Sequence, residues 1–386
     1  MSAKKIFIIA CEPSADLHGA HLINELRKIE PLVQLRGLGG PQMQGAGVSL
    51  LFDMTKISAL GLGDVLRQYF TYRKIFYTAL ADVETFKPDV IIVIDSPAFN
   101  LRFAKKIKKR FPVIYYIAPQ IWAWGGQRIY TIKRTISKML TILPFEKELY
   151  EKAGVPCEFV GHPLLDSTEP SNTHEALRKQ FEIKPEDLAI GLMPGSREKE
   201  VRRILPPMLE SALLIKKNLP ESIFFLTQSP NISPSVYSEI LEQYPNVTVR
   251  KFSGPAAQED HTRKLYDLVT ALDFALIASG TATLEAALLG TPFFLLYKTN
   301  WTTYFLGKNL IRVPYLGLAN LLAGKKLVPE FIQDIQPEAI AQEAKSLLKS
   351  KALYQGMKKE FLELRKILGQ KGASERAAQA VMDFLS

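Results

Sequence analysis

Lys5-Ile-Phe-Ile-Ile-Ala10 carries no polar residue after its first position. A strand with one wet face alternates apolar and polar side chains. A strand without alternation must bury both faces, as happens when helices cover both sides of a parallel sheet. The loop Cys11-Glu-Pro-Ser-Ala-Asp-Leu-His-Gly-Ala20 follows, and Gly19–Ile29 then reads as a helix. The same succession of strand, loop and helix recurs at Gln34–Leu38, Val90–Ile94, Val113–Ile117, Met139–Leu143 and Cys157–Val160, with a helix expected at Phe99–Lys109. Residues 1–165 are therefore expected to form a doubly wound α/β domain.

A polar, turn-rich linker, Asp166-Ser-Thr-Glu-Pro-Ser-Asn-Thr-His-Glu175, ends that series. A second series begins beyond it, with strands expected at Ala189–Met193, Ile223–Thr227, Thr248–Phe252, Phe274–Ile277 and Phe293–Tyr297. From Pro337 the chain reads as helical, ending in an amphipathic segment at Ser374–Leu385. A length of 386 residues with 47% apolar and 23% charged side chains is enough for two such cores. Two α/β halves with a cleft between them suit an enzyme that unites a nucleotide donor with a separate acceptor.

The net charge of +10 is unevenly placed. Residues 1–165 carry 22 Lys and Arg against 14 Asp and Glu, whereas residues 166–386 carry 27 against 25. That asymmetry fits an anionic partner for the first half, whether nucleic acid, a phosphorylated ligand or a membrane surface, and fits equally a lysine-rich surface that aids solubility. The apolar run Ile6–Ala10 is too short for a signal-peptide core, and no run approaches the roughly 18 residues that span a bilayer, so a cytoplasmic protein is expected. Cys11 and Cys157 have no metal spacing and read as free thiols. The five histidines include no HExxH, so no metal site is expected.

Two loops in the second half follow strands, at the end where open α/β sheets bind ligands. In Leu192-Met-Pro-Gly-Ser-Arg197, Gly195 allows close backbone approach, Ser196 can cap the next helix, and Arg197 can grip phosphate bidentately. In Ile277-Ala-Ser-Gly-Thr-Ala-Thr-Leu-Glu285, the residues Ser279, Gly280 and Thr281 offer small side chains and backbone amides, and Glu285 lies one turn on, placed for ribose hydroxyls. Each loop alone reads as an ordinary turn; the pair favours a nucleotide diphosphate. There is no Walker A loop and no GxGxxG, which removes support for ATP hydrolysis and dinucleotide binding.

In the first half, Ser14 or Asp16 can cap the first helix, and Asp16 and His18 can face the cleft. Asp95, in Ile94-Asp-Ser-Pro-Ala-Phe-Asn100, ends another strand and is a plausible general base or a loop-capping aspartate. Trp122 and Trp124, in Tyr116-Ile-Ala-Pro-Gln-Ile-Trp-Ala-Trp124, either pack the core or flank a sugar or acyl chain. Residues 62–80 read as a helix whose apolar stripe includes Tyr69, Phe76 and Tyr77, with Arg67 and Arg73 nearby. Such a stripe is ordinarily core, and beside those cations it also fits docking at an anionic bilayer surface.

Taken in order, the chain resembles the lipid-A-disaccharide synthases, glycosyltransferases of family 19 with the GT-B architecture. The resemblance is carried by Glu12-x-Ser-x-Asp16, Gly37-Leu-Gly-Gly-Pro-Gln-Met43, Ile94-Asp-Ser-Pro97, Ala118-Pro-Gln-Ile-Trp-Ala-Trp124, Leu143-Pro-Phe-Glu146 and Phe159-Val-Gly-His-Pro163 in the first half. In the second half it is carried by Pro194-Gly-Ser-Arg197, Ser279-Gly-Thr-Ala-Thr-Leu-Glu285, Asn320-Leu-Leu-Ala-Gly324 and Pro329-Glu330. It implies two Rossmann-like domains, 1–165 facing acceptor and membrane and 166–355 binding UDP-sugar, with 356–386 crossing back to the first. It implies inverting, metal-free and cofactor-free transfer from UDP-2,3-diacylglucosamine to 2,3-diacylglucosamine 1-phosphate (lipid X), on the cytoplasmic face of an anionic inner membrane. By the same resemblance Arg197 and the Ser279–Glu285 loop hold UDP, with Asn320 and Glu330 nearby.

Two departures from the family pattern bear on the chemistry. Ala15 replaces a glycine that is frequent in the first loop, and Ala98 stands where some members have a second aspartate. If that aspartate is the base elsewhere, Asp95, Asp16 or His18 must serve here, and Asp95 is preferred. Another UDP-sugar enzyme of the same architecture, a polyprenyl-linked N-acetylglucosaminyltransferase or a UDP-GlcNAc 2-epimerase, is the alternative. A nucleic-acid partner is not expected, because no recognition module accompanies the basic half. The sequence specifies neither a monomer nor a homodimer.

Overall fold

A computed structural model describes residues 3–58, 65–107, 110–253, 258–301 and 313–386. They divide into two compact units, residues 1–166 with 368–386, and residues 167–367.

The first unit is built on a seven-stranded parallel sheet of β1 (Lys5–Ala10), β2 (Gln34–Gly39), β3 (Ser49–Asp53), β4 (Val90–Ile94), β5 (Val113–Tyr116), β6 (Lys138–Thr141) and β7 (Cys157–Phe159), in the order β3-β2-β1-β4-β5-β6-β7. The unbroken apolar runs have the expected cause. Ile6, Ile8 and Ala10 of β1 enter one core with Ile92 and Ile94 of β4, while Phe7 and Ile9 enter the other with Ile91 and Val93. All are fully buried, at about 1.5–3 kcal/mol for each large aliphatic or aromatic side chain. The sequence reading lacks β3, whose side chains are only half-buried at the sheet edge.

The first helix is longer than expected. It spans Pro13–Ile29, because Pro13 sits in its first turn, where a missing N–H costs nothing, and neither Ser14 nor Asp16 caps it. The helix expected across residues 62–80 is observed as Val65–Phe86. At the C-terminus, Ala373–Leu385 lays Ala377, Ala378, Ala380 and Val381 on the Ile6 and Ile8 side of the sheet. The Asp166 carboxylate caps that helix, accepting from the Gly372 and Ala373 amides at 2.6 and 3.0 Å. The crossing starts later than the expected residue 356. The helix Lys351–Ile367 stays in the second unit, where Phe361 stacks on Phe293 at 5.6 Å and Leu364 is buried.

The second unit has a six-stranded parallel sheet of β8 (Leu188–Met193), β9 (Ser222–Gln228), β10 (Val249–Ser253), β11 (Phe274–Ala278), β12 (Phe293–Tyr297) and β13 (Glu330–Ile332), in the order β10-β9-β8-β11-β12-β13. Three-residue β13 is too short to leave a sequence signal. Among the described residues no helix is long and apolar enough to cross a membrane.

Candidate active site

In the second unit the strand order reverses between β8 and β11, which pair directly through Met193 and Ile277. The Pro194–Arg197 and Ser279–Gly280 loops therefore leave adjacent strands side by side, at the crevice where open α/β sheets take ligands. Gly195 has φ +110°, and a Cβ on it would stand 2.7 Å from a Glu200 carboxylate oxygen, so only glycine fits. The helices that follow, Glu198–Asn218 and Thr281–Leu289, have no side-chain cap at their N-termini. Ser196 does not cap the first of them, because Arg197 occupies the N-cap and Ser196 stays exposed. Two uncapped helix starts at one crevice form a natural cradle for a diphosphate. Among the described residues, exposed Arg197 is held only by Glu200, at 3.3 Å, a surface pair that leaves it able to turn to an anion.

Glu285 is half-buried and accepts from the Tyr266 hydroxyl at 3.0 Å; burial raises its carboxyl above the ordinary range. Asn320 and Glu330 have a different duty from the one expected. Fully buried Asn320 donates to the Val328 carbonyl and to Glu330, and its Oδ1 accepts from the Leu327 and Val328 amides at 2.7 and 2.8 Å. Glu330 accepts in addition from the Leu316 and Gly317 amides. These two residues brace the chain around the helix Leu318–Ala323, and Asn320 has no hydrogen-bonding group left for a nucleotide.

In the first unit the order reverses between β1 and β4, where Ala10 pairs with Ile94, so Cys11-Glu12 and Asp95-Ser96 emerge together. The Asp95 carboxylate is partly exposed. Burial and the Glu12 carboxylate raise its pKa, and the Ser96 amide opposes them. A carboxylate made more basic at a switch point suits a general base. The other two candidates fit less well. Asp16 is buried and accepts from the Gly40, Gln42 and Met43 amides at 2.6, 3.0 and 3.1 Å, so both its oxygens hold the start of the helix Pro41–Gly45. His18 is pulled down to about 4 by burial and by His21, and its Nδ1 is buried without a partner among the described residues. A neutral imidazole of such low basicity is a weak proton acceptor.

Trp122 is anchored and Trp124 is exposed. The Trp122 indole donates to Glu146 at 2.9 Å, whereas Trp124 lies on the surface with the Arg128 guanidinium 4.0 Å over its ring. Glu146 is almost wholly buried, and burial outweighs the indole and Leu143 amide bonds to push it up to about 7. An ordinary glutamate at 4.5 ionises in the unfolded chain while the folded one stays protonated, so stability falls as pH rises between those values. The fall is expected to reach about 3 kcal/mol. Glu146→Gln should lack it: in urea unfolding, the variant's stability relative to the wild type should rise across that window and then level. A difference that is flat with pH refutes this.

On the helix Val65–Phe86, Arg73 and Tyr77 are exposed and paired as cation and ring at 5.8 Å. Phe76 turns inward instead, edge-on to Phe99 and Phe103 in the core. The side chains of Arg67 and Tyr69 lie outside the described residues. Among the described residues no group of three or more His, Cys, Asp or Glu could hold a metal ion.

Residues 6–384 match the family model for lipid-A-disaccharide synthetase. The lipid-A-disaccharide synthase of Syntrophus aciditrophicus is 38% identical over 387 residues, covering 100% of this chain and 99% of that protein. Among solved structures, the UDP-GlcNAc 2-epimerase of Neisseria meningitidis bound to UDP-GlcNAc is similar with a TM-score of 0.64 at 14% identity, covering 100% of this chain and 99% of that one. The calicheamicin glycosyltransferase CalG4 is similar with a TM-score of 0.59 at 12% identity, covering 100% and 99%. At such identities the last two speak for the fold alone.

Proposed function

The chain belongs to the lipid-A-disaccharide synthetase family, and from that premise we propose that it condenses UDP-2,3-diacylglucosamine with 2,3-diacylglucosamine 1-phosphate to give the β-1′,6-linked disaccharide 1-phosphate and UDP. The observation that carries this reading, beside family membership, is the pair of uncapped helix N-termini with Arg197 at the β8/β11 switch point. The acceptor's 6-hydroxyl attacks the anomeric carbon of the donor from the face opposite the diphosphate. The new C–O bond forms as the bond to UDP breaks, so the centre inverts. Asp95 takes the hydroxyl proton. Arg197 and the amides of both helix starts offset the charge that grows on the diphosphate. Glu285 takes the ribose.

An anionic membrane surface as the site of work is supported by the net positive charge of residues 1–165 and by the exposed Arg73 and Tyr77. A UDP-release assay with diacylated donor, with and without lipid X and in EDTA, tests the reaction. Release is expected only when both lipids are present, and at an undiminished rate in EDTA. Release from UDP-GlcNAc alone, with inversion at C2, would favour the epimerase alternative.

A further inference from the structure

Asp95 and Ser96 have φ of +48° and +44°, and Ile117, at the end of the neighbouring strand β5, has +62°. Among the described residues only six non-glycine positions are left-handed, and three of them meet at these two strand ends. Such backbone costs on the order of 1–3 kcal/mol per residue and persists only where its surroundings over-determine it. Here the surroundings are specific. The Asp95 amide donates to the Tyr116 carbonyl at 3.1 Å, extending the β4–β5 ladder by one rung. The Asp95 carbonyl points the other way and accepts two bonds, from Asn100 Nδ2 at 2.7 Å and from the Tyr115 hydroxyl. The second Asn100 N–H donates to the Ile94 carbonyl at 3.0 Å.

Asn100 and Tyr115 are both completely buried. The Asn100 Oδ1 has no partner among the described residues. Leaving such an acceptor bare costs about 1–3 kcal/mol, so this asparagine is a poor choice for stability alone. Asn100 and Tyr115 hold the Asp95 carbonyl, Asn100 also holds the Ile94 carbonyl, and the Tyr116 carbonyl takes the Asp95 N–H. Both peptide groups flanking Asp95 are thus gripped, while its half-buried carboxylate accepts from the Ser96 amide.

We propose that Asn100 and Tyr115 are positioning residues that lock the left-handed Asp95 peptide and so aim its carboxylate at the acceptor hydroxyl; this rests on the reading of Asp95 as the base. Tyr115→Phe removes one hydroxyl and keeps the ring, and Asn100→Ala removes both amide donors. Each is expected to lower kcat by about 10- to 100-fold, the scale of a small misplacement of a reacting group, with KM for the UDP-sugar unchanged. Each should also shift the acidic limb of the kcat–pH profile. In an Asp95→Asn background, adding Tyr115→Phe should produce no further loss, because the group being aimed is gone.

Wild-type kcat and an unmoved acidic limb in Tyr115→Phe, or full additivity with Asp95→Asn, overturns the positioning role while leaving the base in place. Near-normal turnover in Asp95→Asn overturns the base reading itself. Should Asn100→Ala fail to fold, Tyr115→Phe alone decides, since it deletes a single oxygen atom.

Discussion

Asp95→Asn is expected to lower kcat by about 10²–10⁴-fold, the span over which a positioned proton acceptor contributes. The substitution is close to a pure test of chemistry. Asparagine tolerates left-handed backbone about as well as aspartate, so the +48° conformation survives, and the clamps from Asn100 and Tyr115 act on the main chain rather than on the side chain. What changes is that an amide cannot take the hydroxyl proton. In the wild type, burial and Glu12 raise the pKa of Asp95. The base works only when ionised, so the acidic fall in kcat should lie above the pH at which an ordinary aspartate titrates. Retained turnover, with UDP release measured at saturating donor and acceptor, would remove Asp95 from the reaction.

Arg197→Ala should cost about 10²–10³-fold in kcat, comparable to losing one preorganised donor to a developing anion. The fold should be indifferent. Arg197 is exposed and pairs with Glu200 at 3.3 Å, a surface pair of the kind worth about 0–1 kcal/mol. Arg197→Lys should recover little, since a point charge on a flexible stem cannot reproduce the planar two-pronged grip on phosphate oxygens. Unfolding midpoints equal to the wild type, together with the activity loss, would assign the effect to the transition state. Activity near the wild-type level would show that the diphosphate is held elsewhere.

How much of this was legible in the sequence follows physical lines. The two-faced burial of β1 and β4 is written in their unbroken apolar runs, so the doubly wound architecture could be read directly. The two glycine-bearing loops after β8 and β11 were legible as strand-to-helix turns, and the structure sets them on neighbouring strands. Short edge strands were not legible. β3 and β13 lie at sheet margins, where half-burial leaves no periodic signature.

Carboxylates and amides misled for a common reason: a side chain's identity does not say which backbone it serves. Asp16 and Asn320 look like ligand contacts in one dimension. In three, Asp16 is satisfied by amides some distance along the chain, at Gly40, Gln42 and Met43, and Asn320 by Leu327, Val328 and Glu330 just beyond its own helix. Conversely, neither Asn100 nor Tyr115 was singled out from the sequence. The available hint was a polar residue on the inward face of the helix Pro97–Ile107, five positions after a strand-ending aspartate.

The return of Leu368–Ser386 to the first unit has a consequence for biosynthesis. One flank of the first sheet, with Ile6, Ile8 and Ile92, is covered in part by Leu22, Ile23 and Leu26 of the first helix. It is completed only by Ala377, Ala378, Ala380 and Val381, once residues 368–386 have left the ribosome. The N-terminal half, although made first, cannot be finished first, whereas the uninterrupted stretch 167–367 has all it needs earlier. Until its last residues emerge, a nascent chain of this kind leaves part of an apolar flank bare, which makes it a natural client for chaperones that shield such surfaces.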